Sequence, residues 1–272
     1  MSTTAERTSA PPATPRLAET LASEWTKLWT LRFIRAMLAL ALVLSAGASA
    51  IFLLTTGVTR GGSLAEMNTI DVAGTSLLGV DFANLVLIIL CASAVASEYS
   101  TGMIRLTLAA TPRRLRVLAA KATVLAVTAL TAGVLSAVVT FGVGQIVLVV
   151  QGVSVMDPAD PRLLKLVLGS ALMVPFYSLL AVAFAFITRS AGWAIAAVLA
   201  IMSVPALVGA LPEWWREFLL PGLPASALHC LSGSASPSSP EYLAPVAATL
   251  VLLVWAAGLL LAAYVSFAKR DA

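Results

Sequence analysis

Charged residues are scarce in this chain. Of its 272 residues, 11% are Asp, Glu, Lys or Arg and 60% are hydrophobic, whereas an average soluble domain is roughly 25% charged. A mean hydropathy of +0.96 agrees with this imbalance. The composition excludes an ordinary soluble protein and indicates an integral membrane protein. The net charge of +4 comes from basic residues that follow the loops and form no stripe, so we expect no nucleic-acid partner.

Residues typical of catalytic and metal sites are also few. The single histidine, His229, excludes an HExxH zinc site, which needs two histidines. Cys91 and Cys230 form neither a disulfide framework nor a metal motif. None of the four lysines is followed by Ser or Thr, which excludes a P-loop, and no GxSxG motif occurs. We therefore expect no enzymatic activity in this chain and no cofactor or metal bound by it.

What the chain has in abundance is apolar sequence, in six runs long enough to cross a bilayer as helices. The predicted spans are residues 33–54, 76–96, 122–150, 166–187, 191–211 and 246–267. The third run would measure roughly 43 Å as a helix, so we expect it to tilt, kink or project beyond the bilayer. The predicted fold class is an all-α membrane protein. Residues 16–272 form its six-span domain, and residues 1–15 are expected to be a disordered cytoplasmic tail.

The basic residues predict the orientation of these spans. With the N-terminus inside, cytoplasmic segments hold 13 of the 17 Lys and Arg residues and outer segments hold four. Because Lys and Arg resist translocation, both termini are predicted to be cytoplasmic.

Two amphipathic segments flank the spans. In residues 16–32, Leu28 and the two tryptophans Trp25 and Trp29 fall on one side, while Lys27 faces elsewhere, which predicts an interfacial helix in contact with membrane lipid. Residues 212–245 mix aromatic, charged and proline residues and predict one or two short outer-loop helices before the last span.

The loop from Ser97 to Lys121 has a strong basic excess, with five basic residues against Glu98 alone. Ser100 or Thr101 can cap a short helix, which Pro112 would end. Two interpretations stay open. The loop either forms a docking surface for a soluble partner or only sets the topology.

Asp81 and Asn84 lie near the outer end of the second span. An acid at this depth is costly unless it faces protein or water. The pair therefore either lines a pathway or forms a local structural contact. It is also the one weak candidate for an intramembrane enzyme.

Three motifs resemble ABC-2 type transporter permeases, especially those of high-GC Gram-positive bacteria. The segment EYSTGMIR, from Glu98 to Arg105, with the PRR that follows at 112–114, resembles the loop between their second and third spans. The segment SEWTKL at 23–28 resembles their N-terminal region, and LPGLPAS at 220–226 resembles their outer-loop motif. The chain departs from that last motif at Gly222, where an aromatic residue is common.

The resemblance implies a permease subunit of an ATP-driven exporter in a bacterial cell membrane. A separate ATP-binding subunit would bind ATP and Mg²⁺, and a second permease copy, identical or related, would complete the transporter. The residues implied in coupling are Glu98, Tyr99, Thr101, Gly102, Arg105, Arg113 and Arg114. The apolar spans suit a hydrophobic or amphipathic cargo such as a drug, an antibiotic or a lipid. The alternative is a membrane anchor or sensor that uses a partner ATPase for regulation or antibiotic immunity without transport.

Overall fold

Six long helices dominate the computed structural model, which describes residues 16–60, 67–236 and 238–269, with side chains except at 57–60. No strand occurs within those ranges. The long helices are α2 (Arg32–Arg60), α4 (Gly79–Ser100), α6 (Arg114–Val150), α7 (Pro161–Thr188), α8 (Ala191–Gly209) and α11 (Pro245–Lys269). Each contains a stretch long and apolar enough to cross a membrane. The chain is therefore an all-α, multi-pass membrane protein with six spans, as the sequence predicts.

Five shorter helices lie at the two ends of the bundle. They are α1 (Leu17–Thr30), α3 (Thr69–Leu77), α5 (Met103–Ala110), α9 (Glu213–Leu219) and α10 (Pro224–Ser232). The two short helices expected before the last span are thus α9 and α10. The predicted tail, residues 1–15, lies outside the described residues.

Each predicted span overlaps one long helix, but the ends differ by up to eight residues, and two differences stand out. The third span begins at Arg114, eight residues before the predicted start, because the basic segment continues the helix without a break. Its 37 residues make α6 roughly 55 Å long, so it extends beyond the hydrocarbon core. The second span is preceded by α3, whose end at Leu77 is separated from α4 by Leu78 alone.

The core lies between α4, α6 and α7. The most apolar stretches of α4 and α7 are 61% and 56% buried, whereas those of α2, α8 and α11 are 22%, 17% and 11% buried. Close helix approach explains part of this packing. A Cβ at Gly133 of α6 would lie 2.6 Å from the Ala171 carbonyl oxygen of α7, and one at Gly144 would lie 2.7 Å from Ser76 Oγ. Gly142, also in α6, has no neighbour within 4 Å of its Cβ position.

We refer to the end of the bundle that holds α1, α5 and the start of α6 as the basic end. It is the end predicted to face the cytoplasm. The opposite end holds α3, α9 and α10.

Candidate coupling junction at the basic end

Four charged side chains meet where α1, α4 and α6 converge. Lys121 Nζ lies 2.7 Å from Glu24 Oε2 and 2.8 Å from Glu98 Oε1. Lys27 Nζ lies 2.6 Å from Glu24 Oε1 and 3.5 Å from Glu98 Oε1. We call Glu24, Lys27, Glu98 and Lys121 the charge cluster. Its two acids and two bases balance, and it connects the interfacial helix to the second and third spans.

Three members of the charge cluster are buried. Glu24, Glu98 and Lys121 are 4%, 6% and 5% exposed, whereas the Lys27 side chain is 32% exposed. Buried charges are tolerated only when they are paired, and removal of one partner leaves the other without compensation. The cluster is therefore expected to hold the three helices in one arrangement.

The charges of the cluster shift the pKa values of two of its members, Glu24 and Lys27. Burial acts to raise the pKa of Glu24, but the positive charge and hydrogen bond of Lys121, followed by those of Lys27, hold that pKa below its ordinary value. Burial acts to lower the pKa of Lys27, but its hydrogen bond and attraction to Glu24, with a further contribution from Glu98, hold it above its ordinary value. Both shifts favour the charged forms, so Glu24 and Lys27 are both charged at neutral pH.

A cavity of about 250 Å³ adjoins the charge cluster. All four members line it, together with apolar residues of α1, α2, α4 and α6 that include Leu28, Ile34 and Leu125. Glu98 Oε2 is buried and has no hydrogen-bond partner in the described part of the chain. An unpaired carboxylate oxygen beside a cavity of this size is suited to accept a hydrogen bond from water.

The short helix α5 projects next to the cluster. It begins after Gly102, whose φ of +71° turns the chain sharply out of α4. Thr101 Oγ1 donates to the Ser97 carbonyl oxygen at 2.7 Å and so closes the end of α4. Ile104 is buried and anchors α5, while Arg105 and Leu106 are exposed. Lys27 Nζ also lies 3.5 Å from Thr107 Oγ1, which joins α5 to the cluster.

The remaining residues of the predicted coupling set, Tyr99, Arg113 and Arg114, lie around this junction. The Tyr99 ring packs edge-on against Phe186, with centroids 6.3 Å apart, and the Arg189 guanidinium lies 5.3 Å from the Tyr99 centroid. Arg113 is exposed at the start of α6. Arg114 donates hydrogen bonds to the carbonyl oxygens of Phe267 and Ala268 at the end of α11.

The interfacial helix presents two different faces. Trp25 and Trp29 are 43% exposed, and their ring centroids lie 5.7 Å apart. Leu28 is buried, together with Thr20 and Glu24. An acid thus occupies the inward face that sequence periodicity assigns to apolar residues. Two of the predicted interfacial residues, Lys27 and Leu28, contribute to the junction instead of an open membrane surface.

Asp81 and Asn84 lie far from this junction. Seventeen residues of α4 separate Asp81 from Glu98, a distance of about 25 Å along the helix. Asn84 is completely buried, and neither of its amide atoms has a hydrogen-bond partner in the described residues. The two residues therefore belong to the opposite half of the bundle and cannot act together with the charge cluster.

Sequence reasoning missed Glu24 and Lys121 as site residues. Lys121 is the last charge before a long apolar run, and Glu24 lies three residues before Lys27 on a short amphipathic helix. A charge at the edge of a span and an acid–base pair on an adjacent helix together indicate a possible interhelical ion pair. The sequence pattern does not show that α1 packs against α6, because no local pattern specifies the relative position of two helices.

The chemistry of this junction is that of a structural connection. No group of three His, Cys, Asp or Glu side chains suited to a metal ion occurs in the ranges that the structure describes. Instead, a network of short ion pairs joins a surface helix to two spans, and a short helix with exposed basic and apolar residues lies beside it. A displacement of α1 would be transmitted through these ion pairs to α4 and α6.

Comparison with known proteins gives one family match. Residues 33–272 match the model of DUF2705, described as a protein of unknown function. No curated protein matches the chain.

Proposed function

The chain belongs to the DUF2705 family, whose description names no function. From the resemblance of its motifs to ABC-2 type permeases, together with its geometry, we propose that it is the permease subunit of an ATP-driven ABC exporter. The observation that carries this proposal is the charge cluster, which fixes the interfacial helix and both spans adjoining α5 to each other. A partner that moves α5 or α1 would thereby move α4 and α6 together.

The proposal divides the basic end into a docking surface and a transmission element. Arg105 and Arg113, both exposed, supply positive charge for an acidic surface on the ATP-binding subunit. Gly102 and Thr101 set the direction of α5, and Glu98 and Tyr99 connect α4 to α1 and α7. Arg114 holds the start of α6 against the end of α11, so the last span is included in the same motion.

The other parts of the proposal concern the assembly. The partner subunit binds ATP and Mg²⁺ and hydrolyses ATP. A second permease copy completes a transport path in a bacterial cell membrane. The exposed apolar faces of α2, α8 and α11 are available to lipid or to that second copy. The mostly apolar spans favour a hydrophobic or amphipathic cargo.

Co-purification tests the docking surface. The full-length chain is expressed with candidate ATP-binding subunits and purified in mild detergent, as wild type and as the double variant Arg105→Glu, Arg113→Glu. The matched control is Arg162→Glu, Arg216→Glu, which makes the same charge change at the opposite end. We expect wild type and control to retain an active ATPase and the basic-end variant to lose it. Equal retention by all three would contradict the proposed docking surface.

Transport requires a second measurement. The purified complex in lipid vesicles is expected to move a fluorescent amphipathic cargo when ATP is supplied, and not when a non-hydrolysable analogue replaces it. ATPase binding without any ATP-dependent movement across a panel of cargoes would favour the anchor or sensor alternative over an exporter.

A further inference from the structure

A second cavity lies at the basic end and shares no lining residue with the cavity beside the charge cluster. It is a groove of about 340 Å³ between α1, α2 and α6. We call it the α2–α6 groove. Its lining residues are Trp25, Trp29, Arg35, Leu38, Ala39, Leu42, Thr128, Thr131, Ala132 and Leu135. The groove has room for on the order of ten water-sized groups, enough for a segment of hydrocarbon chain.

The walls of the groove are apolar despite two threonines. Thr128 Oγ1 and Thr131 Oγ1 each donate to a carbonyl oxygen of their own helix at 2.9 Å. Their methyl groups, with Leu38, Leu42 and Leu135, leave little in the walls for water to bind. Water in this groove would find few hydrogen-bond partners, whereas a hydrocarbon chain would bury the apolar surface of its walls.

The mouth of the groove has a different chemistry. Arg35 lies one turn into α2 and is exposed. In the described part of the chain its guanidinium makes no hydrogen bond or ion pair. Trp25 and Trp29 stand beside it as a contacting aromatic pair. Tryptophan favours the level of lipid headgroups, and a guanidinium pairs well with phosphate.

We propose that the α2–α6 groove binds an anionic phospholipid from the leaflet at the basic end. Arg35 holds the phosphate, the two tryptophans flank the glycerol region, and one acyl chain lies along the groove. Charge complementarity favours this occupant over a neutral lipid, because Arg35 is the only charged residue that lines the groove in the described ranges. The inference concerns a lipid site on this chain and is independent of transport.

The orientation of the groove agrees with this occupant. Along α2 it extends from Arg35 to Leu42, which is about 10 Å, beginning at the end of the span nearest α1. That length covers the upper part of one leaflet. Arg35 lies at the end of this length nearest α1 and the leucines lie farther along the span, the order that a phospholipid headgroup and acyl chain require.

The experiment measures lipid binding to the delipidated full-length chain by native mass spectrometry. Phosphatidylglycerol and phosphatidylcholine with the same acyl chains are compared. We expect wild type to prefer phosphatidylglycerol. Arg35→Gln should bind it about fivefold more weakly, the loss typical of one basic residue at an anionic surface, and Arg35→Lys should keep most of the preference. Arg162→Gln, with the same charge change at the opposite end, is the matched control and should behave as wild type.

Two further variants test the groove itself. Ala132→Trp fills the groove and should reduce binding of both lipids, and Ala39→Cys reports what covers it. Disulfide-linked dimers of Ala39→Cys in membranes would overturn the proposal in favour of a second copy. Inorganic phosphate that displaces phosphatidylglycerol at millimolar concentration would identify a simple phosphate site and overturn it too. So would an unchanged lipid preference in Arg35→Gln.

Discussion

Lys121 is a buried cation held between two carboxylates from different helices. Its ammonium group lies within 2.8 Å of both Glu24 and Glu98, and the residue is 5% exposed. The desolvation of these charges offsets most of their attraction, so the network as a whole adds little net stability compared with apolar packing. Lys121 instead favours one arrangement of the helices, because its ammonium group can pair with both carboxylates only when α1, α4 and α6 are packed in this way.

Removal of this cation should be strongly destabilising. We expect Lys121→Met to lower the free energy of unfolding by about 3–5 kcal/mol, because Glu24 and Glu98 would be left buried without their shared partner. Lys27→Met, at the more exposed base of the same cluster, should cost about 1 kcal/mol or less. Denaturant titration in detergent micelles measures both. The triple variant Glu24→Gln, Glu98→Gln, Lys121→Met should recover much of the stability lost in Lys121→Met. Equal losses in Lys121→Met and Lys27→Met would contradict the role of Lys121.

The titration of Glu24 predicts an acid limit to stability. Lys121 and Lys27 outweigh burial and hold the Glu24 pKa below its ordinary value of 4.5. A depressed pKa contributes stability that is present above 4.5 and is lost as pH falls through the lower folded value. Lys27, with a pKa raised above 10.5, contributes stability that is lost only as pH rises through its folded value. Melting temperature should therefore fall in acid, and the fall should be shallower in Glu24→Gln. Parallel acid profiles for the two proteins would refute the prediction.

Among the elements, α5 depends on one backbone conformation. Gly102 precedes it with a φ of +71°, and a Cβ there would meet no atom within 4 Å. The requirement is therefore for a left-handed backbone and not for space, which glycine meets without penalty and asparagine meets better than alanine.

A substitution series at Gly102 can separate these causes. Gly102→Ala should destabilise α5 by about 1–2 kcal/mol, and Gly102→Asn by less. Gly142→Ala is the matched control, because that glycine lies inside α6 with nothing within 4 Å of its Cβ position. It should be neutral or stabilising by up to about 1 kcal/mol. Hydrogen exchange of the α5 amides, compared with those of α6, gives the measurement. Faster exchange in the asparagine variant than in the alanine variant would contradict the backbone explanation.

The sequence predicts the spans well because each long apolar run can satisfy its own backbone only as a helix in lipid. It predicts the short helix that ends before Pro112 for similarly local reasons, but it places the cap at Ser100 or Thr101, whereas α5 begins after Gly102. It does not predict the inward position of Glu24, because an isolated helix pattern assigns charge to the outside. The sequence pattern also places Lys121 in a loop, because the burial of Lys121 depends on α1 packing against α6. Gly79 and Gly169 show the same limit, because a Cβ at either would collide with another helix although no pattern marks them.

At the scale of the whole molecule, burial is uneven. The apolar stretches of α4 and α7 are more than half buried, while those of α8 and α11 are mostly exposed. Exposed apolar helices are ordinary in lipid, so they need no protein cover. The bundle has polar contacts near both ends. The charge cluster lies at one end, and Gln145 exchanges two hydrogen bonds with Met156 at the other.

The topology can be tested with single cysteines in a background of Cys91→Ala, Cys230→Ala. Cysteines introduced at the exposed positions Thr101 and Ala159 and at the partly exposed Ser190 are treated with a membrane-impermeant maleimide in intact cells. Thr101→Cys and Ser190→Cys lie at the basic end and should react only after the cells are opened, because basic segments stay inside. Ala159→Cys should react in intact cells. The reverse pattern would invert the orientation, and labelling of Thr101 and Ser190 from different sides would contradict the six-span arrangement.

The unbroken length of α6 has a mechanical consequence. The ion pairs of Lys121 hold this helix at a point seven residues from its start and 29 residues before its end. If α6 pivots at Lys121, the part before the pivot is about 10 Å long and the part after it about 43 Å long. A rigid rod with parts of these lengths multiplies a displacement roughly fourfold. A push of about 1 Å at Arg114 would therefore swing the far tip of α6 by about 4 Å, close to the diameter of a hydrocarbon chain.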